Sequence, residues 1–155
     1  MEKQNVKQIK EVYLIKAILS DWYGKVKGQP FRVLAIPEDY SLYKLAEAIV
    51  GSFDFYFDHP FGFYDNIKNW THSKEGYELF ADIGEESEFE GVKKTKIGKV
   101  FNRVGKRMLF LFDYGDEWHF IVELKGIEPQ KEKVKYPFIV ESFGKAPPQY
   151  GEEED

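Results

Sequence analysis

Arg107-Met108-Leu109-Phe110-Leu111-Phe112-Asp113 and Glu117-Trp118-His119-Phe120-Ile121-Val122-Glu123-Leu124-Lys125 flank the short stretch Tyr114-Gly115-Asp116. Both flanks are rich in the aromatic and branched side chains that fit a pleated, half-buried surface. A Gly-Asp pair between such runs is a two-residue hairpin signal, because the tight turn needs positive φ and these residues adopt it at low cost. With Gly115 and Asp116 as the loop, Asp113 faces Trp118, Phe112 faces His119 and Leu111 faces Phe120. Trp118, Phe120, Val122 and Leu124 then share the core face with Leu109 and Leu111. The other face holds Phe110, Phe112, His119 and Ile121, too apolar for open solvent. The pair is predicted to be a central hairpin covered on both sides.

On the N-terminal side of that hairpin, Thr95 is placed to cap a helix in which Ile97, Val100, Phe101 and Val104 recur at i, i+3, i+4 and i+7, with Gly105 at its C′ position. Ser41 is a stronger N-cap. After it Leu42, Leu45, Ala46, Ile49, Val50 and Phe53 fall on one helical face. Val12 to Leu19 and Phe31 to Ile36 read as two strands, joined by the turn-rich Asp21 to Pro30, and form an antiparallel pair. Residues 1–11 are polar, with Lys3, Lys7 and Lys10 at helical spacing, a short helical or frayed lead-in. Phe53 to Tyr64 carries seven aromatics in twelve residues, with strand-like alternation broken at Asp58-His59-Pro60. Residues 65–92 read as a mobile surface excursion with a short element near Tyr77 to Ile83. Tyr136 to Phe143 reads as a last edge strand, followed by the extended Ala146-Pro147-Pro148. The predicted class is α+β: a single domain over 1–151 with a mainly antiparallel sheet, two main helices and a broadly β-grasp-like order, then an acidic disordered tail at 152–155.

Composition narrows the function classes. The chain has 155 residues, 22 basic and 27 acidic, for a formal charge of −5. An aromatic content of 17% excludes a solvated, disordered chain. No apolar run approaches the roughly 20 residues of a membrane-spanning helix. The start, Met1-Glu2-Lys3-Gln4-Asn5, lacks the apolar stretch of a signal peptide, so the expected location is cytoplasmic, without membrane contact. Without cysteine there is no disulfide framework and no thiolate ligand or nucleophile. Arg32, Arg103 and Arg107 are the only arginines among the basic residues. Heat adaptation and AT-rich codon usage account equally well for that lysine-rich skew.

Two groups of residues carry candidate chemistry. Asp58, His59, Asp113, Asp116 and His119 would form a carboxylate–imidazole site, able to hold a divalent ion through oxygen and nitrogen ligands. The competing structural reading is preferred: aspartate at a hairpin turn bonds its own backbone, Gly115 supplies positive φ, and Trp118 anchors the core. No cofactor is therefore expected beyond such an ion. Lys93, Lys94, Lys96, Lys99, Arg103, Lys106 and Arg107 would form a basic face able to contact phosphates, unless the acidic run Glu85 to Glu90 neutralises it. The aromatic stretch 53–64 is read as core rather than as a ligand groove, and His72 as solvated. Ser41, Ser52 and Ser142 lack a Gly-x-Ser-x-Gly setting, and no Gly-rich phosphate loop is present.

Taken in order, Pro30-Phe31-Arg32-Val33, Ser41-Leu42-Tyr43-Lys44-Leu45, the aromatic segment with His59, Asp113-Tyr114-Gly115-Asp116-Glu117-Trp118, Tyr136-Pro137 and Ala146-Pro147-Pro148 resemble the plasmid pRiA4b ORF-3-like family. These proteins are found on plasmids and as passengers of insertion sequences. The resemblance spans about Val12 to Gly151, with the Asp-Tyr-Gly-Asp-x-Trp block its most specific part, and it implies an α+β domain with a curved, largely antiparallel sheet. The chain departs from the family at a few polar positions. Phe120 stands where members often have histidine, with His119 one residue earlier. Ala46 replaces another histidine, and Gln149-Tyr150 replaces an acidic pair. The family is uncharacterised, so function rests on the residues. The expected role is a non-enzymatic binding or interaction domain with a protein partner. The alternatives are a nucleic-acid-associated protein of mobile-element origin and a metal-dependent hydrolase.

Overall fold

The computed structural model describes residues 9–150 apart from 21–23 and 25. The expected lead-in before Ile9, most of the Asp21 to Lys25 turn and the acidic tail lie outside the described residues. Two strands open the fold, β1 (Glu11–Ser20) and β2 (Phe31–Pro37), antiparallel from Val12↔Pro37 to Ile18↔Phe31. Helix α1 (Leu42–Ser52) follows, giving the expected strand-strand-helix order. The Ser41 hydroxyl accepts from the Lys44 amide at 3.1 Å, the predicted cap, which stabilises a helix end by about 1 kcal/mol. Leu42, Leu45, Ala46, Ile49 and Val50 are the buried face of α1.

The remaining elements are β3 (Phe61–Tyr64), β4 (Gly76–Glu78), α2 (Leu79–Asp82), α3 (Ile97–Val100), β5 (Arg107–Phe112), β6 (Trp118–Pro129) and β7 (Phe138–Phe143). They complete one open sheet, antiparallel throughout, in the order β4-β3-β5-β6-β1-β2-β7. The β5–β6 hairpin is central, and β7 is the edge strand expected from Tyr136 to Phe143.

Hairpin register is the main correction. The pairs are Phe112↔Trp118, Leu111↔His119 and Phe110↔Phe120, one residue out from the expected set. The loop is five residues, 113–117, rather than Gly115-Asp116 alone. Asp113 and Glu117 both take positive φ, at 69° and 51°. The Asp113 carboxylate accepts from the amides of Gly115 (3.0 Å) and Asp116 (3.2 Å), winding the loop from its first residue. A one-residue slip moves every side chain of one strand to the other face. Met108, Phe110 and Phe112 therefore join Trp118, Phe120, Val122 and Leu124 in the main core beneath α1. Leu109 and Leu111 move to the opposite face, where they pack with Tyr64, Ile67, Trp70 and Phe89.

That second face is covered by residues 65–92, expected as a mobile excursion. The segment is tied down. Asp65 Oδ1 accepts from the amides of Lys74 (2.9 Å) and Glu75 (3.1 Å). The Asp82 carboxylate accepts from Val92 (2.7 Å) and Lys93 (3.2 Å). The expected short element near Tyr77 to Ile83 is present as β4 and α2.

The second main helix is also corrected: α1 is the one longer helix, and α2 and α3 have four residues each. Thr95 does not cap α3; its buried hydroxyl donates to the Gly91 carbonyl at 2.6 Å, and Lys96 occupies the N-cap position. Ile97, Val100 and Phe101 are buried as predicted, but Val104 is 57% exposed in the following loop. A single turn holding Gly98 beside the β-branched Ile97 and Val100 has little intrinsic helix preference. Packing of three side chains maintains that turn and does not extend it. Among the described residues no helix is long and apolar enough to cross a membrane.

Candidate functional site

After α1 the chain runs irregularly from Phe53 to Pro60 across the end of the β5–β6 hairpin. Its aromatic side chains hold it there: Phe55 packs on Trp118 at 4.9 Å between centroids, and Phe57 on Phe61 at 5.2 Å. The Pro60 carbonyl accepts from the Asp113 amide at 3.0 Å. This bond sets the Asp58-His59-Pro60 corner against the hairpin loop. Two parts of the sequence that are more than fifty positions apart thus present acid and imidazole to each other.

His59 Nε2 lies 3.4 Å from Asp113 Oδ2, 3.6 Å from Asp58 Oδ1 and 2.9 Å from the Tyr150 hydroxyl. The Tyr150 hydroxyl donates to Asp58 Oδ2 at 2.6 Å. It therefore accepts from His59, which assigns the ring proton to Nε2. Gln149 fixes the approach of Tyr150: its Oε1 accepts from the Tyr56 amide (2.6 Å) and its Nε2 donates to the Tyr56 carbonyl (3.1 Å). The phenol of Tyr150 is pushed up to about 12, first by its hydrogen bond to Asp58, then by partial desolvation and the charges of Asp58, Asp113 and Asp116. At neutral pH it is a hydrogen-bond donor.

Asp113 divides its carboxylate between two tasks. Oδ1 accepts the two loop amides, and Oδ2 faces His59. Asp116 enters through the hydrogen bond its backbone N–H donates to Asp113 Oδ1 and through its charge near Tyr150. His119 does not join the cluster. It sits buried on the opposite face, opposite Leu111, with Nε2 at 3.0 Å from Glu117 Oε1. Burial lowers its pKa, opposed by Glu117. Among the described residues no three His, Asp or Glu side chains are arranged to hold a metal ion together. His72 lies in an exposed 3-10 turn, Trp70–His72, beside Asn69.

The His59 corner forms the mouth of a cleft of about 260 Å³, walled by Tyr43, Phe57, Phe61 and Leu79. Phe53, Phe55, Phe61 and Phe63 of the aromatic stretch are core as expected, and Phe57 and Phe61 also wall this cleft. The Lys93 ammonium stands over the Tyr43 ring, 5.1 Å from its centroid. Further along, Lys99 pairs with Glu90 (2.8 Å), Lys106 with Glu75 (3.0 Å) and Arg107 with Glu123 (3.7 Å). Lys94, Lys96 and Arg103 are exposed and join no ion pair among the described residues. Of the acidic run, Glu90 is the member that reaches this basic face.

Sequence reasoning missed Gln149 and Tyr150. The signal was their departure from the acidic pair that follows Pro-Pro in similar chains. It also missed a polar network on the second face. There the Tyr64 hydroxyl donates to Glu78 and meets the Tyr114 hydroxyl at 2.5 Å, while Ser87 donates to the other Glu78 oxygen at 2.6 Å. Burial is the first cause of the raised pKa of both tyrosines. Gly62 makes room for them, since a Cβ there would stand 2.7 Å from the Tyr64 hydroxyl and 2.8 Å from that of Tyr114.

Among solved structures, the chain is similar to a protein of unknown function, MM3350, from Methanosarcina mazei Go1, with a TM-score of 0.69 and 26% identity over 88% of this chain and 72% of that one. No curated protein matches the chain. The family model described as plasmid pRiA4b ORF-3-like protein matches residues 13–152, from the first strand through the Gln149-Tyr150 pair that closes the cluster. On that nearly complete match, the chain belongs to the plasmid pRiA4b ORF-3-like family.

Proposed function

We propose that the protein is a non-enzymatic binding module that takes a basic side chain of a protein partner in the cleft at His59. The observation that carries this reading is the meeting of Asp113 and Tyr150 with Asp58 and His59, the last two of which line an aromatic cleft. At about 260 Å³ the cleft is smaller than the roughly 300–1,000 Å³ typical of drug-sized ligands and suits one side chain. The Asp58 carboxylate in the lining and the π faces along the wall both favour a cation, and the Lys93 ammonium already stands over the Tyr43 ring. Binding is favoured over hydrolysis by how the polar atoms are used. Asp113 holds its own loop, and Tyr150, protonated up to about pH 12, donates to Asp58. The test is an amide and side-chain NMR titration with arginine amide and butylammonium. Saturable shifts centred on Tyr43, His59 and Leu79 support the reading. Shifts spread over all acidic surfaces, or none, contradict it.

A second reading, association with nucleic acid, is favoured by Lys93, Lys94, Lys96 and Arg103, exposed cations that pair with no acid among the described residues. Contacts from Lys94, Lys96 and Arg103 alone would give a salt slope of about −3 on duplex DNA, near −0.9 per phosphate contact. No retention on DNA at low salt removes this reading.

A further inference from the structure

Arg32 is 7% exposed, yet no carboxylate among the described residues lies within ion-pair distance of it. A buried guanidinium ordinarily has a counter-charge, because desolvating the ion is expensive. Here its partners are backbone carbonyls. Nε donates to Ser52 at the end of α1 (2.9 Å), and Nη1 to Phe31 (2.8 Å), Phe143 (3.1 Å) and Gly144 (3.2 Å). The cation also stacks over Phe53 at 4.5 Å. Nη2 donates to no described residue. The carbonyls supply hydrogen-bond geometry without supplying a negative charge.

The space on which Arg32 opens is a cleft of about 640 Å³ between Phe53-Asp54 and the segment Lys145 to Gln149. Gly144, at φ 78°, turns the chain off β7 so that this segment closes over Arg32. A Cβ at Gly144 would stand 2.9 Å from Pro30 Cα, so the turn depends on glycine. Lys145 adds a second cation, exposed at the rim and in no ion pair among the described residues. Asp54, on the facing wall, repels additional negative charge and accepts from a donor.

We propose that this cleft binds a small organic anion, its carboxylate or phosphate held between Arg32 Nη2 and Lys145 and a hydroxyl or ammonium of the same molecule turned toward Asp54. Arg32 offers the N–H donors of Nη2 for a charge-assisted contact with such anions, and the apolar Phe53, Ala146 and Pro147 flank the carbon skeleton. The site shares Gln149 with the His59 cluster but does not depend on the role of the His59 cleft.

The full chain, labelled with ¹⁵N, is titrated with acetate, inorganic phosphate, glycerol 3-phosphate and serine, at constant ionic strength set by chloride. The Arg32 Nε–H signal and the amides of Gly144 to Ala146 are followed. Saturable shifts there with the carboxylates or the phosphates support the site, and the stronger series identifies which anion it takes. Lys145→Ala lies on the surface and leaves the fold intact; it should weaken binding by up to about fivefold, the scale of one exposed charge contact. Arg32→Lys should abolish it, with its fold checked by the unchanged signals of β5 and β6. Shifts that chloride reproduces, or that persist in Lys145→Ala and Arg32→Lys alike, would overturn the proposal. So would an absence of shifts with all four probes.

Discussion

A single carboxylate, that of Asp113, links the fold to the candidate site. Asparagine there keeps the acceptor oxygen and tolerates the left-handed backbone, so Asp113→Asn should change stability by less than about 1 kcal/mol. Asp113→Ala strands two loop amides and strains a β-carbon at φ 69°, and should cost about 1–3 kcal/mol in urea unfolding. Equal effects of the two substitutions would contradict the loop-winding role. Tyr150 gives a pH prediction. Its phenol, raised from 10 to about 12, contributes stability that is whole below pH 10 and is lost as pH rises through 12. In Asp58→Asn the Tyr150 titration, followed by the Cζ resonance, should fall back toward 10. Gly62→Ala should destabilise by about 1–3 kcal/mol, because two buried hydroxyls occupy the volume of the new methyl. Asp58, His59 and Asp113 were legible as chemistry because rare polar residues interrupt apolar runs. Tyr150 was not, because its partners lie about ninety positions away and only the folded chain joins them.

Elements with strong local signals were legible, and those settled by tertiary contact were not. Ser41 followed by a clean apolar face gave α1 and its cap; Ser41→Ala should cost about 1 kcal/mol. The hairpin was legible, but its register was not. Asp113 and Glu117 take positive φ that Gly115 was expected to carry, and that choice inverts the faces of β5. The period at Ile97, Val100, Phe101 and Val104 looked helical, yet three of the four are buried around a single turn and Val104 is exposed. The edge strand β7 exposes Phe138, Ile139, Val140 and Phe143. Pro137 before it and Glu141 within it interrupt its free edge, and the irregular pairing with β2 at Val33/Leu34 breaks the regularity of the strand. Replacing Glu141 by valine should promote concentration-dependent association in light scattering; a monomer unchanged at all concentrations would argue that the charge has no protective role.

The whole molecule is a seven-stranded sheet with α1 on one face and residues 65–92 strapped to part of the other. This layering leaves the end of the central hairpin free, and there the Phe53 to Pro60 crossing and the Gln149-Tyr150 segment meet. The binding site proposed at this junction draws on three separate parts of the chain, brought together only by the fold. The most direct measurement is the affinity for arginine amide of the wild type against Asp58→Asn, with unfolding midpoints measured in parallel. The predicted result, read where both proteins are fully folded, is a five- to tenfold loss of affinity, about 1–1.4 kcal/mol, beside an unfolding midpoint lowered by no more than the weakened Tyr150–Asp58 hydrogen bond. Equal affinities, or a loss that only tracks lowered stability, would contradict a cation-binding cleft at His59.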